Sequence, residues 1–226
     1  MPFSIYVRSH RMTFARTIVA ITLVLLSVST SPGEPKSKKK QPAKITADYF
    51  PLRVGDTWTF RNAEEGGYTL KVLREEPHEG EAVRYVVELI SGVRILNTYS
   101  KVPGWVLFHF QNYPEHEGLQ AKYDPPSQYL PNPLVAGQKW EWDGKDPTQV
   151  EYRESSRVVG AETVTVPAGK FRAMKVVTEI TGASIPKVRT NWYAEGVGLI
   201  KSATEAGQMK YGSELTDYSF KKKEPR

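Results

Sequence analysis

The chain contains one ten-residue phrase twice. Residues 51–60 read PLRVGDTWTF, and residues 133–142 read PLVAGQKWEW, 82 positions later. Both copies follow the pattern P-L-x-x-G-x-x-W-x-aromatic with identical internal spacing. A repeat at a fixed period indicates a duplicated supersecondary unit. The repeat therefore predicts that two related halves, 45–111 and 133–220, build a single domain, with residues 112–132 as the connector between them.

Each copy of the phrase has the residues of a strand start. Its proline has no N–H to give to a sheet ladder, which suits the approach to a strand, and its glycine permits the turn into that strand. The aromatic residues two positions apart then point to one face. We expect Trp58 and Trp140 to occupy equivalent, largely buried positions, the alternative being a platform for a ligand.

Apolar and polar residues alternate with period two along most of the chain beyond residue 45, which is typical of antiparallel strands with one solvated face. In the segment 188–192, Val188 and Trp192 are expected on the apolar face, and Arg189 and Asn191 on the wet one. The same alternation recurs in three further segments, 68–72, 83–89 and 174–180. The pattern predicts an all-β domain of about ten strands, in a strongly curved antiparallel sheet or partial barrel.

The N-terminus has the layout of a secretory signal peptide over residues 1–29. Three arginines precede an apolar run at 17–26, which is too short for a membrane-spanning helix, and small residues follow at 27–29. We expect the mature chain to begin near Thr30 and to have no spanning helix. A start at Met12 would keep the signal intact, and an uncleaved anchor is the alternative. A signal peptide of this kind predicts that the protein is exported to the periplasm, the cell envelope or the medium.

Basic residues are concentrated at the two ends of the chain. The linker 30–44 and the tail 221–226 are rich in lysine and poor in apolar residues, and we expect both to be disordered and solvated, with contact to anionic lipid as the alternative. The body at 45–220 carries 19 Lys and Arg against 23 Asp and Glu. A mildly acidic body argues against nucleic acid as a partner.

The absence of cysteine from the whole sequence removes several kinds of chemistry. A disulfide scaffold, a thiol nucleophile, a zinc–thiolate site and lipid attachment at an N-terminal cysteine are all excluded. About 180 folded residues can bury enough apolar surface without disulfides. No cofactor is predicted.

The stretch 112–132 is predicted to be the longest irregular segment, because it holds four prolines. It is read as a connector, or alternatively as a lid over a concave face. If the concave face holds an apolar ligand, a lid would place its tyrosines beside the aromatic residues that precede it. The predicted ligand-binding residues are Trp105, Phe108, Phe110, Tyr123 and Tyr129.

Three phrases in order carry a resemblance to known proteins. They are YFPLRVGDTWTF at 49–60, VPAGKF at 166–171, which has the residues of a hairpin turn, and WYAEGVGLIK at 192–201, whose glycines indicate a bulge. This order resembles a broad group of uncharacterised bacterial exported or lipoprotein-type β-domains. The resemblance implies a strongly curved antiparallel sheet or partial barrel and an envelope location, and it brings no catalytic residues. The lipobox cysteine of lipoproteins is missing here.

Motifs for catalysis and metal binding are weak in this sequence. Nucleophile-elbow, P-loop, dinucleotide and H-E-x-x-H patterns are not present. His78 and His116 are flanked by carboxylates but have no third ligand at a fixed spacing, so no metal site is predicted. Glu141 and Asp143 share a strand face that is opposite the neighbouring tryptophans, which weakens a role in glycan hydrolysis. No catalytic residue is assigned.

These patterns favour a non-enzymatic exported cell-envelope protein that binds an apolar small molecule, a lipid or an envelope protein. The motivation is a curved sheet with surplus aromatic residues, which can either fill its own concave side or hold one ligand. A structural or assembly protein that docks through a sheet edge or a loop is the second hypothesis. A hydrolase acting on glycans is the third.

Overall fold

A computed structural model describes residues 47–78, 80, 82–146, 148–182 and 185–220. The predicted signal peptide, linker and C-terminal tail lie outside these residues. Twelve strands form within them, where about ten were expected. The strands are β1 (Thr57–Asn62), β2 (Gly67–Glu76), β3 (Arg84–Ile90), β4 (Arg94–Val102), β5 (Gly104–Asn112), β6 (Gln120–Asn132), β7 (Lys139–Lys145), β8 (Glu151–Val166), β9 (Gly169–Thr181), β10 (Lys187–Ala194), β11 (Gly198–Ala206) and β12 (Met209–Ser219).

All twelve strands belong to one antiparallel sheet in the order β6-β5-β4-β3-β2-β1-β12-β11-β10-β9-β8-β7. Strands that are neighbours in sequence pair with one another, except for β6 and β7, and β1 joins β12 in the middle of the sheet. The sheet curls until its edges β6 and β7 face one another, where Tyr123 packs edge-on against Trp142 with ring centroids 5.3 Å apart. Within the described residues no backbone ladder joins these two edges. The predicted all-β curved sheet is confirmed as a nearly closed barrel.

The stretch 112–132, expected to be irregular, is mostly strand. β6 occupies Gln120–Asn132 and pairs with β5 through two register shifts. An edge strand has one side without a ladder, so it tolerates residues that lack an N–H, such as Pro125, Pro126 and Pro131. Proline count was therefore a poor guide to irregular structure at this position.

The two copies of the repeated phrase make the same turn. Gly55 N donates to Val72 O at 2.8 Å, and Gly137 N donates to Val158 O at 2.9 Å. In both copies the N–H of that strand residue also donates to the carbonyl of the residue after the glycine. These bonds run from Val72 N to Asp56 O at 3.0 Å and from Val158 N to Gln138 O at 2.9 Å. Both glycines have a positive φ, 92° and 86°, which only glycine adopts readily. The duplicated turn predicted from the sequence is confirmed.

Burial differs between the two copies. Trp58 is 6% exposed, and its Nε1 donates to Val197 O at 2.7 Å. Trp140 is only half-buried and contacts Trp105 edge-on, with ring centroids 6.1 Å apart. Trp58 is therefore largely buried as expected, whereas Trp140 is less buried, and the two positions are not equivalent in burial. The physical reason is position, because β1 lies in the middle of the sheet and β7 at its edge.

Residues 48–52, which we name the N-terminal plug, fill one end of the barrel. Phe50 packs edge-on against Tyr99 and Tyr129 of the inner wall, at 5.2 and 5.6 Å between ring centroids, and Leu52 is buried. Asp48 fixes the start of the plug, since its carboxylate accepts two bonds from Lys101 Nζ at 2.7 and 2.8 Å. This end of the barrel is therefore a filled core, with a void of only about 50 Å³ beside the plug.

Two shorter sequence predictions also agree with the structure. The phrase at 166–171 forms the hairpin between β8 and β9. The phrase at 192–201 joins β10 to β11 with a register shift between Trp192 and Tyr193, as a bulge requires. Among the described residues there is no helix with the length and hydropathy needed to cross a membrane.

Candidate functional site

The end of the barrel opposite the plug contains a cavity of about 520 Å³, which we name the open cavity. Its lining includes the β1–β2 turn and residues near the ends of β9, β10, β11 and β12, and its walls come from strands on both halves of the sheet. The residues that line it are Asn62, Ala63, Glu64, Glu65, Tyr68, Tyr129, Ile180, Lys187, Arg189, Asn191, Leu199, Ser202, Thr204, Tyr211, Gly212 and Ser213. Clefts of this size are typical of small-ligand sites.

One side of the open cavity, which we name the polar wall, consists of Arg189, Asn191, Ser202 and Thr204, and strand alternation explains why these side chains face inward. On β10 the odd-numbered residues Arg189, Asn191 and Tyr193 face inward. On the neighbouring β11, Thr204 is paired with Arg189 and Ser202 with Asn191, so their side chains share the inner face. This wall is therefore built from alternate positions of adjacent strands and is held rigidly by the ladders.

The predicted orientation of β10 is wrong. Arg189 and Asn191 were expected in solvent, yet both line the open cavity, whereas Val188 is 41% exposed on the outside. Trp192 is partly buried against the hydrophobic core, with Lys175 Nζ and Lys201 Nζ 5.5 and 5.8 Å from its ring. The prediction was therefore wrong for Arg189, Asn191 and Val188, because the inner face of the barrel is polar at this end.

Arg189 is the central charged group of the open cavity. Its Nη2 donates to Glu154 Oε1 at 3.0 Å, and about a third of its side chain remains accessible. Its Nε is buried and has no hydrogen-bond partner among the residues that the structure describes. Burial lowers the pKa of the guanidinium, but the attraction of Glu154 and of the Tyr129 and Tyr193 hydroxyls outweighs burial and raises it overall. Arg189 is therefore charged at any physiological pH.

Side-chain hydrogen bonds connect much of the remaining polar wall. Ser202 Oγ donates to Asn191 Oδ1 at 2.8 Å, and Asn191 Nδ2 donates to the Tyr193 hydroxyl at 3.2 Å. Tyr68 and Ser213 share a hydrogen bond of 3.0 Å between their hydroxyl groups. Because these groups already satisfy one another, the unused Arg189 Nε differs from the polar atoms around it.

Neutral tyrosines line the barrel interior beside the Arg189–Glu154 pair. Burial raises the pKa of Tyr129 and Tyr193, and burial also raises the pKa of Tyr123 to about 12. The hydroxyl groups therefore act at neutral pH as hydrogen-bond donors and acceptors rather than as charges. Of the tyrosines, Tyr68 and Tyr129 line the open cavity, where their rings add apolar surface.

The five residues predicted to bind a ligand fall in different places. Tyr129 alone lines the open cavity. Phe108 stacks on Tyr99 at 4.9 Å and packs against Tyr123 at 4.8 Å, as part of the packed interior. Trp105 packs against the edge strand β7, and Phe110 lines a groove of about 590 Å³ beside His109 and Lys122. The five residues do not line one site, and their role in binding stays a prediction.

Sequence reasoning missed Arg189, Glu154, Asn191 and Ser202. The signal that could have found them is the strict alternation of Arg189, Asn191 and Tyr193, which places two polar residues on the same face as an aromatic one. That pattern predicts a polar patch on the inner wall only if the barrel is known to be hollow there.

Two other polar arrangements are less suited to chemistry. Ser100 Oγ lies 2.8 Å from His109 Nε2, but Ser100 is only 1% exposed, so a substrate cannot reach the hydroxyl without displacing the strand. Asp143 is exposed and pairs with Arg153 at 2.7 Å on the outer face. In the part of the chain that the structure describes, no three His, Asp or Glu side chains come together as a metal site would require.

Residues 109–214 match the DUF3108-like family. The match contains two of the three phrases discussed above, at 166–171 and 192–201, and covers most of the polar wall of the open cavity. No curated protein matches the chain at a significant level.

Three solved structures resemble the chain at low sequence identity. A candidate lipoprotein of Parabacteroides distasonis is 15% identical, with 78% of this chain and 100% of that chain covered and a TM-score of 0.44. A candidate exported protein of Bacteroides fragilis with a YmcC-like fold is 16% identical, with 77% and 100% covered and a TM-score of 0.46. The hypothetical lipoprotein YmcC of Escherichia coli is 15% identical, with 75% and 86% covered and a TM-score of 0.34.

Proposed function

We propose that this chain is a non-enzymatic binding module of the bacterial cell envelope, and that it holds a small molecule in the open end of its barrel. The observation that carries the proposal is the difference between the two ends. The plug fills one end almost completely, whereas the other contains a cavity of about 520 Å³ lined by Arg189, Asn191 and Ser202. A barrel that needed only a packed core would have filled both ends.

The proposed ligand is amphipathic rather than purely apolar. One wall of the open cavity carries hydroxyl, amide and guanidinium groups, and the other carries the rings of Tyr68 and Tyr129. A purely apolar molecule would cover the polar wall without replacing its bonds to water, which is unfavourable. Trp105, Phe108, Phe110 and Tyr123 would then support the site from a distance rather than touch the ligand.

An exported location is part of the proposal. It rests on the sequence, in which a basic segment, a short apolar run and small residues follow one another as in a secretory signal peptide. Whether the exported chain is free or anchored in the membrane follows from whether this segment is cleaved. N-terminal sequencing of the exported chain tests this point, and a retained Met1 or Met12 would contradict cleavage.

Docking through a sheet edge, the main alternative, has less support. An extended partner needs a free row of backbone N–H and C=O groups. β6 has three prolines in that row, and the outward side chains of β7 are charged, both of which disfavour edge-to-edge pairing.

Native mass spectrometry of the protein purified from its own host tests the binding role. We expect a retained small molecule in the wild type and its loss in Ser202→Phe, because this side chain projects into the open cavity. The matched control is Glu205→Phe on the same strand, whose side chain is 63% exposed and points outward. Melting temperatures must show that both variants fold. Retention of the same molecule by folded Ser202→Phe would place the ligand outside the cavity.

A further inference from the structure

The first and last described residues of the chain both lie at the plug end of the barrel. The carbonyl of Asp48 accepts a hydrogen bond from Gly196 N at 2.7 Å, which ties the start of the plug to the β10–β11 turn. The ring of Phe220 packs against Trp58 with centroids 5.4 Å apart, and Trp58 Nε1 donates to Val197 O in the same turn. The sequences that flank the barrel are therefore joined to it in one region, opposite the open cavity.

The flanking sequences are strongly basic. Lysines 221–223 follow Phe220 directly, and Lys44 is four residues before Asp48. Even a fully extended chain keeps these four lysines within about 15 Å of those two residues. Over their whole length, the linker and the tail contain nine Lys and Arg against two Glu. The plug end is therefore the place where positive charge is concentrated.

The turns at the open end carry the opposite charge. Because neighbouring strands are antiparallel, the turn from each odd-numbered strand to the next strand lies at this end. The described residues of these six turns include no Lys or Arg, and five of them are acidic: Glu64, Glu65, Glu115, Glu117 and Asp146. The five turns between strands at the plug end have three glutamates in their sequence, which the basic residues of the linker and the tail outnumber.

The charges of the two ends act separately because the barrel is long compared with the range of screened electrostatics. Strand β5 runs from the plug end to the open end with 9 residues, which span about 30 Å. The Debye length at physiological ionic strength is about 8 Å. An anionic surface therefore attracts the plug end without repulsion from the acidic turns, whereas the open end would meet such a surface with its carboxylates first.

We propose that the chain docks on the surface of an anionic phospholipid bilayer through the lysines that flank its plug end, so that the open cavity faces away from the membrane. Each Lys or Arg held near an anionic lipid surface adds to the affinity for it. The inference goes beyond the proposed function, because it orients the barrel whether or not the cavity holds a small molecule.

Vesicle sedimentation of the exported chain tests the docking. The vesicles are phosphatidylcholine alone and phosphatidylcholine mixed with phosphatidylglycerol. We expect binding to the mixed vesicles only, and loss of that binding in high salt. Combined Lys221→Gln, Lys222→Gln and Lys223→Gln should weaken binding about tenfold or more.

The matched control for this tail variant removes three lysines from the strands near the open end. It combines Lys122→Gln, Lys145→Gln and Lys210→Gln, whose side chains are all exposed, and it should leave binding unchanged. Melting temperatures must show that both triple variants fold. Equal affinity of the tail variant and the control would overturn the assignment of the surface to the plug end.

Single introduced cysteines measure the orientation, since the chain has no cysteine of its own. Val135→Cys lies in the exposed β6–β7 turn at the plug end, and Glu65→Cys lies in the exposed β1–β2 turn at the open end. Each carries a fluorophore, and the vesicles carry a nitroxide quencher on the lipid headgroup. We expect quenching of the label at position 135 and none at position 65.

The outcomes separate this proposal from the binding role. Quenching at position 65 alone would overturn the orientation. Equal binding to both kinds of vesicle, or binding to neither, would overturn docking on anionic lipid. A small molecule retained in native mass spectrometry by a chain that binds no vesicles would leave the proposed function intact, whereas vesicle docking without a retained molecule would leave the orientation alone.

Discussion

The turns at 51–60 and 133–142 have the same backbone bonds but different surroundings. The first leads into β1, which has a paired strand on each side, and the second leads into β7, which is paired on one side only. The segment before each turn also differs, because residues 48–50 of the N-terminal plug precede the first turn and β6 precedes the second. The comparison teaches that the repeated residues specify a local turn, whereas the burial of their tryptophans depends on where the turn lies in the sheet.

The largest expected effect is the contrast between the two tryptophans. Trp58→Ala removes a side chain that is 6% exposed and packs against Phe220, and it should lower the free energy of unfolding by about 3–5 kcal/mol. Trp140→Ala removes a half-buried side chain at an edge and should cost about 1–2 kcal/mol. Urea unfolding of both variants measures the difference.

Equal losses for the two variants would contradict the role given to sheet position. They would mean that the barrel edges β6 and β7 are held together as tightly as the paired strands. In that case Trp140 and Trp105 would close the barrel energetically even without a ladder between its edges.

Next in size are substitutions of the two turn glycines. Gly55→Ala and Gly137→Ala both force a side chain into a positive-φ conformation, and each should cost about 1–2 kcal/mol. The two values should agree closely, unlike those of the tryptophans, because the turn bonds of the two glycines are 2.8 and 2.9 Å long. Chemical denaturation of the two variants side by side checks this, and a clear difference would show that the turns are not energetically equivalent.

The sequence predicted the local geometry of this fold better than its overall closure. Gly55 and Gly137 identify their turns because few other residues adopt that backbone conformation, and strand alternation is visible wherever one face is apolar. The strand β6 was missed because prolines are tolerated at an edge, and edges are defined by the whole sheet. The polar wall was missed because Arg189 and Asn191 read as solvated residues unless the interior is known to be hollow.

The smallest predicted effect concerns the segment before the first turn. Asp48 lies three residues before Pro51 and anchors the plug to Lys101 and Asn132, whereas the equivalent position in the second copy is the buried Leu130. Burial raises the pKa of Asp48, but the bonds from Lys101 and Asn132 outweigh burial and lower it below its ordinary value of 3.8. Because the pKa of Asp48 is lower in the folded chain than in the unfolded chain, its ionised carboxylate stabilises the fold at any pH above the ordinary pKa. This stabilisation is lost as the pH falls through the pKa of the folded chain.

We therefore expect Asp48→Asn to lower the free energy of unfolding at pH 7 by less than about 1 kcal/mol, since 42% of the carboxylate side chain is exposed and solvent screens the pair. The difference from the wild type should stay constant down to about pH 5 and shrink toward zero below about pH 3. Asp143→Asn, which removes an exposed carboxylate beside the second turn, is the control and should change stability less at pH 7. A deficit in Asp48→Asn that persists at low pH would show that the carboxamide disturbs the packing of the plug, and that the charge of Asp48 contributes nothing to holding it.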